Sequence, residues 1–288
     1  MEQVIVGIAL VAVRIRTGTL IPPKAGPSAG KPCPYVIQQK MITNFYVNPE
    51  NVGEDSLKIM GEEAKHILLV LRYGCGDVIE VVDGCGTKYK VRIEEISRDF
   101  LQGRILSRTH KENEPNCHLT LAQAVCRKER MDFLIEKATE IGVSSIIPIL
   151  TERNLIKVSG VSREKKRIDR WRRLAIASMK QALRTVLPEI QDIIQFEQLL
   201  SKVKSFDLCL IASLTKDSKS LKECKPLKGG LKNVLIIVGP EAGFTEEELS
   251  KAKAKGAIPL SLGSRRLRTE TAGVIFSSLV LHQLGDLG

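Results

Sequence analysis

The sequence predicts an α/β protein in which a domain with a mainly parallel sheet follows a small β-barrel domain. From residue 119 onward, apolar strand-like runs alternate with amphipathic helical patterns. Before residue 108, short strand-like segments surround a single helical pattern. The charge also changes, because residues 42–118 carry 10 basic and 13 acidic side chains whereas residues 119–288 carry 29 basic and 19 acidic ones. These three observations place a domain boundary near Pro115.

The composition is that of a globular protein with excess positive charge. The 288 residues include 44 Lys and Arg against 33 Asp and Glu, a net charge of +11, and 43% are hydrophobic. Such a chain is long enough for two domains. No apolar run reaches the roughly 18–20 residues of a membrane span, so we expect no integral membrane protein. The positive charge favours a polyanionic partner, although a solvated basic surface explains it equally well.

Cysteine and histidine usage argues against metal and disulfide frameworks. The chain has seven cysteines, none in a C-x-x-C pair, and four histidines. We therefore expect neither a structural zinc site nor a disulfide scaffold, and no metal cofactor. Reduced thiols are typical of a cytoplasmic protein.

Residues 1–41 are interpreted as an extension outside the folded domains. An apolar stretch at residues 4–13 precedes Arg14 and Arg16, and prolines from Pro22 onward oppose a helix. A secretory signal carries its positive charge before the apolar stretch, so that class is excluded. Three alternatives remain: a disordered extension, an organellar transit peptide, or a misassigned start with Met41 as the true first residue.

Short strands and one helix are predicted in residues 42–114, the first domain. A turn at residues 83–86 joins a strand at Val78–Val82 to a strand with alternating apolar residues, which makes a hairpin. Ser56–Met60 is a further candidate strand. Between them, apolar residues recur at helical spacing at Ala64, Ile67, Leu68 and Leu71. One helix among short strands indicates a small β-barrel.

Strands and helices alternate in residues 115–288, the second domain. Apolar runs predict strands at residues 119–125, 145–150, 206–212, 234–238 and 257–262. Helical spacing predicts four helices: one from about Met131 to Gly142, a long basic one striped by Ile168, Trp171, Ala175 and Ala182, one at residues 246–255, and one at residues 270–284. The continuously apolar run at 234–238 is typical of a buried strand in a parallel sheet.

A glycine-bearing loop at residues 239–248 is the first candidate site. It follows a buried strand, and Thr245 with Glu248 fits a capping box at the start of a helix. Ligands of parallel sheets bind at such loops, outside the carboxyl ends of the strands. The spacing matches neither a dinucleotide fingerprint nor a P-loop, and its acidic residues favour a positive or neutral ligand group over phosphate. An ordinary strand-to-helix turn remains the alternative.

A second loop at residues 262–271 places Arg265, Arg266 and Arg268 beside Glu270. The following helix is nearly all apolar, so the loop should lie close to the core. Thr269 or Thr271 is the candidate N-cap of that helix. Glu270 is expected to pair with an arginine and hold its guanidinium in a fixed direction. A solvated charged turn is the alternative.

Both loops resemble those of the small-subunit rRNA uridine N3-methyltransferases, the RsmE family of the SPOUT superfamily. The resemblance is carried by G-P-E-A-G-F-T-E-E-E at 239–248 and S-L-G-S-R-R-L-R-T-E-T at 261–271. The segments at 45–51 and 61–72 look like the PUA-like barrel of this family. The segments at 127–143, 148–154 and 180–184 look like the start of its catalytic domain.

The resemblance implies a SPOUT-type knotted α/β domain, with a C-terminal trefoil knot, after a PUA-like RNA-binding barrel. It implies methylation of N3 of one specific uridine by S-adenosylmethionine (SAM). The implied partners are small-subunit rRNA, within an assembled or assembling subunit, and a second copy of the chain, with active sites at the homodimer interface. Two alternatives stay open: a SPOUT enzyme that modifies another RNA nucleotide, and a non-catalytic RNA-binding assembly factor.

The resemblance also assigns residues. The implied cofactor-binding residues are Ala212, Ser213, Gly239, Pro240, Gly243, Leu260, Leu262, Gly263 and Leu267. The implied RNA-facing residues are Arg153, Gln181 and Arg184, to which charge adds Arg170 and Arg173 of the basic helix and Arg72 of the barrel. Arg268 is the expected catalytic residue, because a guanidinium stabilises the anion formed when uridine N3 loses its proton. Glu270 and Glu241 are the candidate proton acceptors. The family usually has glycine at Ala242, where alanine requires a negative φ.

Overall fold

A computed structural model describes residues 43–156, 160–215, 218–223 and 230–288. The predicted extension at residues 1–41 lies outside the described residues. No helix in the described ranges is long and apolar enough to cross a membrane.

The first domain is a curled five-stranded sheet with one helix. Its elements are β1 (Phe45–Tyr46), β2 (Ser56–Met60), α1 (Gly61–Lys65), which continues as a π-helical turn (His66–Val70), β3 (Val78–Val82), β4 (Thr87–Ile96) and β5 (Phe100–His110). The strand order is β1-β3-β4-β5-β2, with β1 parallel to β3 and the other pairs antiparallel. The described ladders do not join β1 to β2, so the predicted small barrel is a half-barrel.

The predicted hairpin is confirmed, and one carboxylate holds its turn. Asp83 accepts hydrogen bonds from the backbone N–H groups of Cys85 and Thr87 at 2.8 and 3.0 Å, and from the Tyr89 hydroxyl at 3.0 Å. Tyr89, Val91 and Ile93 on β4 are buried, as their alternation predicts.

The second domain is built on a parallel sheet. Its elements are β6 (His118–Ala124), α2 (Lys128–Glu140), β7 (Ser145–Leu150), α3 (Val161–Gln181), β8 (Glu189–Ile190), β9 (Ile194–Gln195), α4 (Phe196–Lys202), β10 (Leu208–Ala212), β11 (Lys219–Ser220), β12 (Asn233–Val238), α5 (Glu246–Ala254), β13 (Ile258–Ser261) and α6 (Thr269–Leu284). Among the described strands the order is β11-β13-β10-β12-β6-β7-β8, with β9 also beside β7. The prediction of an α/β domain with a mainly parallel sheet is confirmed, and the trefoil knot stays a prediction.

Helices cover both faces of this sheet. Val234 and Ile236 of β12 face the core that α2, α3 and α6 close, whereas Leu235 and Ile237 face the core under α4 and α5. Burial on both faces explains why β12 is continuously apolar. The short strands β8, β9 and β11 and the helix α4 were not predicted from the sequence.

A buried ion pair between Arg184 and Glu114 corrects one assignment. Arg184, expected to face RNA, is only 2% exposed. Its guanidinium binds the Glu114 carboxylate at 2.7 Å and donates to the carbonyl oxygens of Thr139 and Val143 at 2.7 and 3.1 Å. Because it is buried and makes four hydrogen bonds, Arg184 links the segment before β6 to the loop after α3 instead of contacting RNA.

Asp286 attaches the end of α6 to the start of β6. Its carboxylate accepts from the backbone N–H and side-chain Nδ2 of Asn116 at 2.9 and 2.8 Å, and from the backbone N–H of Cys117 at 3.0 Å. These contacts join residues 169 and 170 positions apart in sequence.

Candidate active site

A cavity of about 440 Å³ lies at the carboxyl ends of β10, β12 and β13. This is where a parallel sheet places its ligand site, and the volume lies in the range of small-molecule pockets. Eight of the nine predicted cofactor residues line it: Ala212, Ser213, Gly239, Pro240, Gly243, Leu260, Leu262 and Leu267. Gly263 does not line the cavity but forms a turn at a φ of 107°.

The loop after β12 depends on its glycines. A Cβ on Gly239 would lie 2.8 Å from the Phe244 ring, so only glycine allows this approach. Gly243 has a φ of 71°, which a glycine adopts without strain. Ala242 does not have a positive φ, so the backbone here accepts the methyl group of alanine.

The predicted capping box at the start of α5 is confirmed. Thr245 Oγ1 accepts from the Glu248 N–H at 3.1 Å, and Glu248 Oε2 accepts from the Thr245 N–H at 2.9 Å. Glu248 Oε1 accepts from the Glu152 N–H at 2.9 Å, so the same carboxylate fixes the loop after β7.

An arginine that the sequence did not single out connects the two candidate proton acceptors. Arg130, in the first turn of α2, donates to Glu241 Oε1 at 2.7 Å, and its Nε lies 3.8 Å from Glu270 Oε1. Glu270 therefore pairs with an arginine, as expected, but from α2 and not from its own loop. Glu270 is buried and its Oε2 has no hydrogen-bond partner among the described residues, whereas Glu241 lines the cavity. Burial, followed by the charges of Glu241 and Glu270, raises the pKa of the nearby Cys126 thiol to about 12.

Arg268 does not line the cavity, although its sequence neighbours Leu267 and Thr269 do, as do Arg265 and Arg266. It is exposed, and its guanidinium makes no hydrogen bond or ion pair with the described residues. Arg268 is the N-cap of α6 and its carbonyl accepts from the Ala272 N–H at 2.8 Å. The expectation that Thr269 or Thr271 is the N-cap is wrong: the Thr269 hydroxyl bonds the Gly239 carbonyl instead, at 2.6 Å.

The candidate RNA-binding residues differ in whether their side chains already bind other residues of the protein. Arg173 and Gln181 are exposed on one face of α3, and Arg72 is exposed beyond the π-helical turn. Arg170 is tied to Asp132 of α2, with Nε 3.0 Å from Oδ1. Arg153 is exposed and donates to the Phe244 carbonyl at 3.3 Å, next to the cavity.

Two family models match this chain. One describes an RNA methyltransferase domain over residues 112–281, and the other an RNA methyltransferase PUA domain over residues 59–106. Ribosomal RNA small subunit methyltransferase E of Bacillus subtilis is 29% identical over 234 residues, 79% of this chain and 90% of the relative. The Mesomycoplasma hyopneumoniae protein of the same name is 32% identical over 173 residues, 60% of this chain and 73% of the relative.

Solved structures match over both domains. Ribosomal RNA small subunit methyltransferase E of Neisseria gonorrhoeae, bound to SAM, has a TM-score of 0.74 and 30% identity over 84% of this chain and 97% of that chain. A Legionella pneumophila protein solved with SAM has a TM-score of 0.75 and 30% identity over 83% and 96% of the two chains.

The half-barrel, the parallel sheet and the cavity at its carboxyl edge together define an RNA methyltransferase with a PUA domain. The relatives narrow that class. The chain belongs to the ribosomal RNA small subunit methyltransferase E family.

Proposed function

We propose that the protein transfers the methyl group of SAM to N3 of one uridine in small-subunit rRNA. The observation that carries this proposal is the cavity, which is lined by eight of the residues that the family resemblance assigns to the cofactor. Relatives named ribosomal RNA small subunit methyltransferase E support the rRNA substrate. The choice of uridine N3 rests on the family resemblance.

The residues of the cavity fit SAM. Leu260, Leu262 and Leu267 offer apolar walls to a nucleoside, and Gly239 and Gly243 let the backbone approach closely. Glu241 places a carboxylate in a site for a cofactor with a sulfonium charge. The cavity therefore provides the apolar surface that this cofactor requires, with a carboxylate that Arg130 holds in place at 2.7 Å.

Arg268 is the proposed catalytic residue. Uridine N3 is a poor nucleophile until its imide proton leaves, and the anion spreads over N3 and the flanking carbonyl oxygens. The Arg268 guanidinium is exposed, has no partner among the described residues and follows the cavity residue Leu267, so it is suited to bind one of these oxygens. When bound, the cofactor supplies an electrophilic methyl group. Of the two candidate acceptors for the N3 proton, Glu241 lines the cavity, whereas Glu270 is buried and does not line it.

We also propose that two copies of the chain associate through α6. Ile275 is partly exposed, and Leu279, one turn later on the same side of this helix, is 37% exposed. The proposed setting is the cytoplasm, on an assembled or assembling small subunit. The trefoil knot and the domain limits at residues 42 and 115 remain part of this proposal.

Two measurements test the function. Calorimetric titration with SAM should give saturable binding, and its absence would favour a non-catalytic assembly factor. Mass spectrometry of rRNA nucleosides, before and after incubation of unmodified small subunits with enzyme and SAM, should show new N3-methyluridine. A methyl group on another nucleotide would identify a different SPOUT enzyme.

A further inference from the structure

Three polar groups form a hydrogen-bond chain that runs from the sheet into the cavity. Gln123 on β6 is fully buried and is paired in register with Val238, the last residue of β12. Its Nε2 donates to Thr269 Oγ1 at 2.8 Å. The Thr269 hydroxyl donates to the Gly239 carbonyl oxygen at 2.6 Å. These two hydrogen bonds therefore connect β6, the first turn of α6 and the loop after β12.

The direction of this chain follows from its last member. The Gly239 carbonyl can only accept, so the single Thr269 hydroxyl proton must point to it. Thr269 Oγ1 then accepts from Gln123, which fixes the orientation of the amide group. Both side chains are buried, at 0% and 4% exposure, so water does not replace a missing partner.

Fixing the amide in this direction has a cost. Gln123 Oε1 is left buried without a hydrogen-bond partner among the described residues. A Cβ on Gly273 of α6 would lie 2.5 Å from this oxygen, so glycine is required to make room. A buried acceptor without a partner is destabilising, and a core built for stability alone would place an apolar side chain here. The arrangement indicates that these hydrogen bonds serve a function at their other end, at the Gly239 carbonyl.

That other end is the cavity, because both Thr269 and Gly239 line it. The Thr269 hydroxyl binds the Gly239 carbonyl, and the nearby Phe244 ring leaves no room for a side chain at this position. We propose that Gln123 and Thr269 are positioning residues, which hold the Gly239 carbonyl and so shape the cavity before SAM binds. This inference rests on the proposed function, because it assigns SAM to the cavity. Preorganisation of this kind raises affinity without a new contact to the ligand.

Calorimetric titration of the full chain with SAM tests the inference. Thr269→Val removes the hydroxyl at nearly constant volume, and we expect the Kd for SAM to rise about tenfold or more, the scale of one buried hydrogen bond. Thr269→Ser restores the hydroxyl and should recover most of the affinity. Gln123→Met, which changes a residue outside the cavity lining, should also weaken binding. The double variant Gln123→Met/Thr269→Val should bind no more weakly than Thr269→Val, because both changes break the same chain.

Several outcomes would overturn the inference. If Thr269→Val and Gln123→Met melt at lower temperature but bind SAM like the unaltered chain, the hydrogen bonds serve stability alone. Equal weakening in Thr269→Val and Thr269→Ser would show that the hydroxyl is not the determinant. If Thr269→Val does not fold, the Kd of Gln123→Met for SAM tests the inference: a raised Kd supports it, and an unchanged Kd overturns it. Absence of SAM binding by the unaltered chain would overturn the proposed function together with this inference, whereas normal binding with indifferent variants would overturn the inference alone.

Discussion

At the scale of single residues, Arg268 should matter for chemistry more than for cofactor binding. Its guanidinium is exposed, one residue after Leu267 of the cavity lining, and has no partner among the described residues. We expect Arg268→Ala to lower the rate of methyl transfer at saturating SAM by about a hundredfold or more, on the scale of losing one oxyanion donor. The Kd for SAM, measured by calorimetry, should change little.

Arg268→Lys is the matched comparison, because it keeps the charge but removes the planar fork. It should retain part of the rate that Arg268→Ala loses. An Arg268→Ala variant that methylates normally would refute the assignment, as would one that fails only because it no longer binds SAM.

Arg184 should matter for stability instead. Its pair with Glu114 is buried on both sides, with side chains 3% and 7% exposed. Arg184→Ala leaves the Glu114 carboxylate buried without its partner, which should lower the free energy of unfolding by about 3–5 kcal/mol in urea titrations. Arg184→Met/Glu114→Leu should lose less, since it removes both charges. If Arg184→Ala is as stable as the exposed-site control Arg98→Ala but binds RNA weakly, Arg184 faces RNA after all.

At the scale of elements, α3 should contact the RNA backbone through one face. Lys166, Arg173 and Gln181 are exposed along this helix, and spacings of seven and eight residues keep them on one side of it. Because Arg170 is held by Asp132, Lys166 and Arg173 are the better test.

Lys166→Ala/Arg173→Ala should flatten the dependence of RNA affinity on salt, by roughly 0.7–0.9 in the log–log slope for each phosphate that is no longer neutralised. Filter binding over a salt series measures this slope. Lys202→Ala/Lys204→Ala, on exposed residues of α4 and the turn after it, removes the same charge elsewhere and is the control. If Lys166→Ala/Arg173→Ala leaves the slope of the unaltered chain unchanged, α3 is excluded from the RNA-binding surface.

The elements also show how far the sequence could be interpreted. β12 and α6 were predictable, because their apolar runs are long, and β12 is buried on both faces of the sheet. β8, β9 and β11 have two residues each, too few for a period to be detected. α4 carried a usable signal, since Phe196, Leu199 and Leu200 are buried at helical spacing and Gln195 with Gln198 forms a capping box.

Both cavity loops follow from local motifs, but the residues that Arg130 and Gln123 bind lie 111 and 146 positions away in sequence. Such pairings depend on the tertiary packing of distant elements, which local periodicity does not determine.

At the scale of the whole molecule, the apolar side of α6 should be an interface between two copies. Leu279→Asp places a charge on this side, and we expect light scattering at micromolar concentration to change from a dimer to a monomer mass. Leu106→Asp, at a similarly exposed apolar position of β5, should leave the mass unchanged. A monomer mass for the unaltered chain would contradict the proposed dimer.

The contacts of Asp286 have a consequence for synthesis of the chain. Asn116 leaves the ribosome 170 residues before the carboxylate that binds it, a delay of roughly 10–30 s at ordinary translation rates. The neighbouring strand β6 must also wait for β12, which forms one of its two flanking ladders. During that interval an apolar strand edge is exposed to aggregation or to capture by a chaperone. The half-barrel, whose strands are all made by then, can fold first and keep the nascent chain soluble.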